Sequence, residues 1–490
     1  MRRLILAVVM MAMGLAARGE VFVGAHGKYM IERFGAGQTH AAIGTTETAA
    51  RMAAAALGGT VADPATGYVM QRLSDAVAWR PTDAAKFTKR WQFGAHNGYG
   101  TYSNVSSDGK YCLAYEVTSD RSFLIELEPA VRLVRALDYI GISSNARWRR
   151  DAGAEHKIVF DGHFDTQNWM KQIDADTLPA KLDKEMLAAE LLAVQPGGHI
   201  NMDSHADQSA QYRACFTSGS TQLYSFAAKR FVGGRSPAWG HDVSPSGKWW
   251  VYHEDNSLCF VLYDTQTSTV RLPLPISNAA KGAGHLGWCV DENGRECIYF
   301  MDNGTDGMRL FCPETNSFRV IFGTSAIGYN YHGGRTIAPG WMFVSTYGMS
   351  SDAGKWFYMQ FFMVRIADGL IWRIGSSHEM YGAWEHAENC ASVSPDGKWV
   401  YFASNAFGAA AIDLWRVRLP EGWQEDLAAV PIVGGPVVTP TPTPTIKPTP
   451  GPSPTPTATA TPAATPAVTP DPCVLTIDLH ITGTVRRGGS

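Results

Sequence analysis

Apolar residues come in short runs along most of this chain, separated by polar turns rather than arranged in long amphipathic stretches. Trp249-Trp250-Val251-Tyr252 and Trp399-Val400-Tyr401-Phe402 are two such runs, and each predicts a buried strand. Each follows a turn of one kind, Val243-Ser244-Pro245-Ser246-Gly247-Lys248 and Val393-Ser394-Pro395-Asp396-Gly397-Lys398. A third copy is Val105-Ser106-Ser107-Asp108-Gly109-Lys110-Tyr111. In such turns Pro presets φ, Ser or Asp bonds the local backbone, and Gly takes the positive-φ position. Helical patterning is confined to an Ala-rich stretch, Glu47–Leu57, and to Leu182–Val194, where a surface insertion is expected.

The turns recur at a fixed interval. Weaker copies occur at Asp291-Glu292-Asn293-Gly294 and Ala338-Pro339-Gly340-Trp341. Gly109 and Gly247 lie 138 residues apart, three times 46. Gly247 to Gly294 is 47, Gly294 to Gly340 is 46, and Gly340 to Gly397 is 57, which implies an insertion in that unit. A period near 46 with four short strands per unit predicts an all-β fold, a β-propeller of about seven four-stranded blades. Residues 140–175 and 198–233 supply the two units missing between the first and fourth copies.

The expected organisation is a signal peptide over 1–19, a partly helical N-terminal segment over 20–95, and the propeller over 96–422. Trp91-Gln92-Phe93 is a candidate strand to close the ring. Arg2 and Arg3 followed by the apolar stretch Leu4–Ala16 and small residues at Ala17 and Gly19 read as an export signal, too short to span a bilayer. The chain is therefore expected to be secreted, periplasmic or on the cell surface, with no transmembrane segment. Residues 437–472 are almost wholly Pro, Thr and Ala and have nothing apolar to bury, so they read as a disordered extended spacer. Residues 473–490 form a short tail that could serve cell-surface attachment.

Composition narrows the classes of function. A net charge of −3 with no basic run argues against nucleic acid as a partner. The 15 Trp, 18 Tyr and 21 Phe suit both strand packing and sugar binding. Cys289 and Cys297 flank a turn symmetrically, so hairpin pairing would set them opposite each other, either as a disulfide or as two buried thiols. There is no CxxC, GxSxG, Walker or HExxH motif.

In a propeller the first strand of each blade lines the central channel, and its start opens on the usual ligand face. Four consecutive units carry a histidine there: His241, His285, His332 and His386, at 6, 9, 8 and 11 residues before the turn glycines Gly247, Gly294, Gly340 and Gly397. At about 3.3 Å per residue these offsets spread the rings by about 10–15 Å. Converging imidazoles can hold a divalent metal or act as acid and base; singly, each could equally clasp a neighbouring blade. Arg335, after Gly333 and Gly334, suits a carboxylate, or else a blade-to-blade ion pair with Asp242 or Glu385. Tyr331, Tyr381, Glu385, Glu388 and Asn389 are further polar candidates. His378 and Tyr381 fall in the insertion before the last unit, which could overhang the channel as a lid. His199, Asp203 and His205 form a second, weaker cluster.

Gly284-His285-Leu286-Gly287-Trp288, Tyr331-His332-Gly333-Gly334-Arg335 and Val393-Ser394-Pro395-Asp396-Gly397-Lys398-Trp399 resemble segments of exported bacterial TolB/WD40-like propellers over roughly residues 100–420. In organisation the chain is similar to propeller-fold polysaccharide lyases, notably oligogalacturonate lyases. That resemblance implies channel histidines, a divalent metal such as Mn or Ca, and a basic residue that abstracts a proton. The family's histidine before the last turn strand is here Cys390, with His386 four residues earlier. The expected function is an exported propeller that acts on carbohydrate, a metal-assisted β-elimination lyase on uronate-containing oligosaccharides. His332, Arg335 and Tyr331 would do the chemistry, with His241, Glu385, Asn389 and Tyr381 binding substrate and His241, His285, His332 and His386 holding metal. The alternative is a non-catalytic propeller that binds a glycan or protein at the same mouth.

Overall fold

The computed structural model describes residues 22–432 except for several stretches, the longest of them 34–45, 80–90, 93–104, 180–188, 274–282, 347–357 and 379–390. The predicted signal segment 1–19, the spacer 437–472 and the tail 473–490 lie outside the described residues. Among the described residues the protein is all-β, with two helices, and its strands form seven antiparallel sheets in a propeller arrangement.

Five sheets have four strands in chain order, which is the up-and-down pattern of a blade. The first runs from Trp91–Gln92 to Arg132–Asp138, the second from Arg147–Trp148 to Glu190–Pro196, and the third from Ile200–Asn201 to Arg230–Arg235. The fourth runs from Ala238–Val243 to Thr269–Pro273 and the fifth from Ala283–Val290 to Ser317–Gly323. The sixth, Tyr331–Gly334 to Leu370–Ser376, is widened by two N-terminal strands, Met30–Arg33 and Phe22–Val23. The seventh joins Ser392–Val393, Trp399–Ser404 and Asp413–Arg418 to Val69–Arg72 and Thr60–Ala62.

The repeat glycines do what their spacing requires. Gly109, Gly247, Gly294, Gly340 and Gly397 all have φ between 70° and 82°, the region where a side chain would be strained. In the turn at Ser394, the serine Oγ accepts from the Trp399 N–H at 3.0 Å and donates to Asp396 at 2.6 Å. The turn at Ser106 is built the same way, with Tyr111 and Asp108 as partners.

A sheet with two apolar faces must bury both, and here the clusters join consecutive sheets. Trp148 and Phe160 of the second sheet pack with Tyr111 and Leu124 of the first. Tyr224 of the third meets Val159 and Met170 of the second. Trp249 of the fourth meets Trp288 and Phe300 of the fifth, and Met342 and Phe362 of the sixth pack on Tyr299 of the fifth. Tyr401 and Leu414 of the seventh return to Cys112 and Phe123 of the first. Each fully buried aromatic side chain contributes about 1.5–3 kcal/mol.

Two sequence expectations are corrected. Trp91–Gln92 does not close the ring; it pairs with Glu116 and Tyr115 as the first strand of the first sheet. Val69–Arg72 is the N-terminal strand that completes the last sheet, pairing with Trp415–Val417. Leu182–Val194 is not a helix where it is described: Glu190–Pro196 is the last strand of the second sheet, opposite Gln167–Asp174. Its apolar residues read as helical in isolation, yet the neighbouring strand offers backbone partners along its length, and tertiary pairing overrides local pattern. The Ala-rich stretch is helical over Thr46–Ala54.

The seam of the seventh sheet turns on one carboxylate. Asp413 accepts from Ser74 Oγ at 2.8 Å, Ala76 N–H at 2.9 Å and Arg72 Nη2 at 2.7 Å, and Ser74 Oγ in turn accepts from the Leu414 N–H. Burial pushes the Asp413 carboxyl up, and Arg72 leads the contacts that pull the other way. Removing it leaves the largely buried Arg72 with only the longer 3.6 Å pairing to Asp75. Asp413→Ala is expected to cost about 3–5 kcal/mol, measured as a lower denaturant midpoint with intact strand content in the residual folded state.

Candidate functional site

The first strands of the sheets form their converging edges. The first strand Ala283–Val290 lies beside the next first strand, Tyr331–Gly334, while the first strands Ala238–Val243 and Ser392–Val393 lie beside second strands of the preceding sheets, Tyr212–Thr217 and Trp341–Thr346. His241, His285, Tyr331 and His332 all sit on such first strands, those of the fourth, fifth and sixth sheets.

Register brings the three histidines closer in height than their sequence offsets indicate. His332 pairs with Ser345, five residues after Gly340. His241 falls in a register shift between the pairs Gly240↔Tyr252 and Val243↔Trp250, opposite Val251, four after Gly247. His285 falls in the same kind of shift between Gly284↔Met301 and Gly287↔Tyr299, opposite Phe300, six after Gly294. Each shift sets two residues against one, as a bulge does. The three positions then differ by two residue steps, about 7 Å at 3.3 Å per residue.

The bulge at His285 is locked from below. A Cβ on Gly287 would stand 2.4 Å from the Tyr299 ring, and the Tyr299 hydroxyl donates to the Phe343 carbonyl at 2.9 Å. Phe343 is the partner of Gly334, two residues from His332. One buried phenol therefore ties the backbone beside His285 to the backbone beside His332. The other predicted site residues, Arg335, Tyr381, Glu385, His386, Glu388 and Asn389, lie outside the described residues, as do His199, Asp203 and His205.

His378 is corrected. It is fully buried, with φ of 49°, and its Nε2 stands 3.7 Å from Asp63 of the N-terminal segment. It does not overhang the channel on a lid. A separate set, Asp291, Cys297 and Cys312, has ligand atoms within 4.8 Å of one another, all buried, and could hold an ion.

Two clusters escaped the sequence reading. The first is the Asp291/cysteine group. The second surrounds His156, whose Nδ1 meets Asp176 at 2.5 Å and whose Nε2 meets Asp108 at 2.7 Å. Lys110 and Tyr111 also bond Asp176, each at 2.9 Å. Partial burial works against the charged ring, but hydrogen bonds to Asp176 and Asp108 outweigh it and hold His156 above its ordinary value. His156, more than Lys110 and Tyr111, holds Asp176 well below the carboxylate range. For Asp108, burial pushes upward and is overcome by bonds from Ser106 and His156. The group clasps the turn of the first sheet to the second. The Asp108 of the repeat motif was the available signal.

No family model and no curated protein matches this sequence. Solved structures do match in fold. An oligogalacturonate lyase from Vibrio parahaemolyticus superposes with a TM-score of 0.51 at 12% identity, over 74% of this chain and 97% of that one. The hydrazine synthase of Kuenenia stuttgartiensis gives 0.44 at 9% identity, over 67% and 97%, and a streptogramin B lyase gives 0.38 at 9%, also over 67% and 97%. At these identities the likeness concerns the fold alone. No helix among the described residues is long and apolar enough to cross a membrane.

The clasp makes a signed prediction. His156 has a raised folded value, so its contribution is complete below the unfolded value of 6.5 and is lost as pH rises through the folded one. Asp108 and Asp176 are depressed, so theirs is present above 3.8 and lost as pH falls through their lowered values. The clasp is strongest between these limits. His156→Gln should flatten the decline of thermal unfolding temperature as pH rises above 6.5, read by circular dichroism.

Proposed function

We propose that this protein is an exported seven-bladed propeller that binds uronate-containing oligosaccharide at the mouth of its channel and cleaves it by β-elimination. The observation that carries the reading is the register: His241, His285 and His332 stand on three consecutive first strands within two residue steps of each other. The fold likeness to an oligogalacturonate lyase supports it as analogy. Each of the seven sheets is read as one blade, the two wide ones being blades with N-terminal strands added. The segment 1–19 would direct export through a TolB/WD40-like body, and 437–472 would hold that body away from a surface reached by the tail.

In this reading the Arg335 guanidinium forms a two-pronged bond with the sugar carboxylate and, by neutralising it, acidifies the α-proton. His332 or Tyr331 takes that proton as the bond from the β-carbon to the glycosidic oxygen breaks, and the leaving oxygen is protonated in turn. Asn389, Glu385, Tyr381 and His241 would bind the sugar hydroxyls and fix the ring. A divalent ion held by His241, His285, His332 and His386 would supply further neutralisation of the carboxylate when bound, and Tyr331 would then be the base.

The unsaturated product absorbs in the ultraviolet, so purified protein with pectic, alginate and ulvan oligosaccharides, with and without Mn²⁺ or Ca²⁺, gives a direct assay. A rise in absorbance on one uronate polymer is expected, and His332→Ala should lower kcat/KM by about 10²–10⁴-fold with an unchanged unfolding temperature. Binding of the same oligosaccharide without product, unaffected by His332→Ala, would establish a non-catalytic binder instead. Loss of folding in both His332→Ala and Arg335→Ala would make these residues structural.

A further inference from the structure

Three cysteines of the fifth sheet stand in a row. Cys289 pairs with Cys297 across the first two strands, and Cys312 faces Cys297 from the third, one step beyond the pair Ile298↔Phe311. All three are free thiols, buried on one face of the sheet in a shared cluster. The row stands beside Asp291 at the base of the turn.

The two neighbouring pairs differ in kind. The Asp291 N–H donates to the Arg295 carbonyl, and antiparallel pairs alternate between bonded and non-bonded. Counting along the hairpin makes Val290/Glu296 non-bonded and Cys289/Cys297 bonded. The backbone of Cys297 therefore points at the first strand, which leaves Cys297/Cys312 as a non-bonded pair. Non-bonded pairs have the shorter Cα separation, about 4.5 Å against 5.5 Å, with closer side chains. Of the two, Cys297/Cys312 has the sulfurs set to meet.

Metal binding fits this group less well than thiol chemistry. Asp291 Oδ1 accepts from the N–H groups of Asn293 and Arg295, and Oδ2 accepts from Arg295 Nε and Nη2. Four donors fill a carboxylate's acceptor sites, so an ion would find two sulfurs and no free oxygen. Cys312, 4% exposed, is the last residue of its strand, and the turn after it is exposed at Glu314, Thr315 and Asn316, so the rim is the side from which a reagent would reach the pair.

We propose that Cys297 and Cys312 are a reactive dithiol that low-molecular-weight disulfides convert into a cross-strand disulfide, with Cys289 left as a thiol. The Cys312 thiolate attacks one sulfur of the reagent, whose S–S bond breaks and releases a thiolate. Cys297 then gives its proton to solvent and attacks the Cys312 sulfur of the mixed disulfide, releasing the second thiolate. The protein loses two electrons and two protons, and the reagent is reduced to two thiols. Cys312 attacks first because it ends its strand beside the exposed turn, and Cys289, fully buried, lies beyond Cys297 on the far side of the row.

The test treats the full native chain with oxidised glutathione, alkylates it, and maps peptides by mass. The expected result, read on the peptides that carry Cys289, Cys297 and Cys312, is one Cys297–Cys312 link, with Cys289 alkylated and both linked thiols recovered by dithiothreitol. Cys297→Ser should trap glutathione on Cys312, Cys312→Ser should leave Cys297 and Cys289 unmodified, and Cys289→Ser should still form the link. A link that includes Cys289, or three thiols that stay unreacted in the native chain, would overturn the proposal. Protection of both sulfurs by Zn²⁺ with no disulfide formed would overturn it in favour of a metal site.

Discussion

The structure depends on face-to-face burial between consecutive sheets. A strand such as Trp341–Thr346 is buried at every position, so its sheet needs an apolar neighbour on each side, and no sheet in the series can end it. Only a succession that returns on itself satisfies this, and the packing of Tyr401 and Leu414 against Cys112 and Phe123 is where it does so. The N-terminal strands follow from the same constraint. They widen the sixth sheet through the buried pair Arg373–Glu32 at 2.9 Å and complete the seventh through Asp413. The C-terminal helix Trp423–Ala428 covers what remains, its Trp423 ring seated between Trp341 and Trp372.

Within that frame the first strands bring residues far apart in sequence beside one another, as Ala283–Val290 and Tyr331–Gly334 show. Bulges there do a specific task. The extra residue at His241 and at His285 shifts the chain along its neighbour without changing the strands that pack outside it, so histidine height is adjusted while the core is kept. The Tyr299 hydroxyl, which reaches Phe343 only because position 287 has no side chain, carries this adjustment from one sheet to the next.

Much of the fold was legible because each repeat carries its own turn chemistry. Five glycines at near-constant spacing, each needing positive φ, are a local signal that tertiary context does not alter. What was missed is non-local. Val69–Arg72 is four residues of mixed polarity, and nothing in it names a partner 341 positions away. Glu190–Pro196 has apolar residues that fit either period, and only the adjacent strand decides. The placement of His241, His285 and His332 on first strands could be read from their distance to a turn glycine; the bulges that level them could not. His156 was invisible because its two carboxylates come from 48 and 20 residues away.

The seam has a consequence for how the molecule forms. Its N-terminal strand is made first and its partner Asp413–Arg418 nearly last, so the strand must wait, unpaired, for almost the whole body. Pairing across 341 residues closes a loop of high entropic cost, and contacts of such separation slow folding. Until Val69–Arg72 docks on Asp413–Arg418 the ring stays open at this seam, with an unpaired strand edge on Asp413–Arg418. Such a species would associate with its own kind, which makes completion of the seam a kinetic safeguard as well as a source of stability.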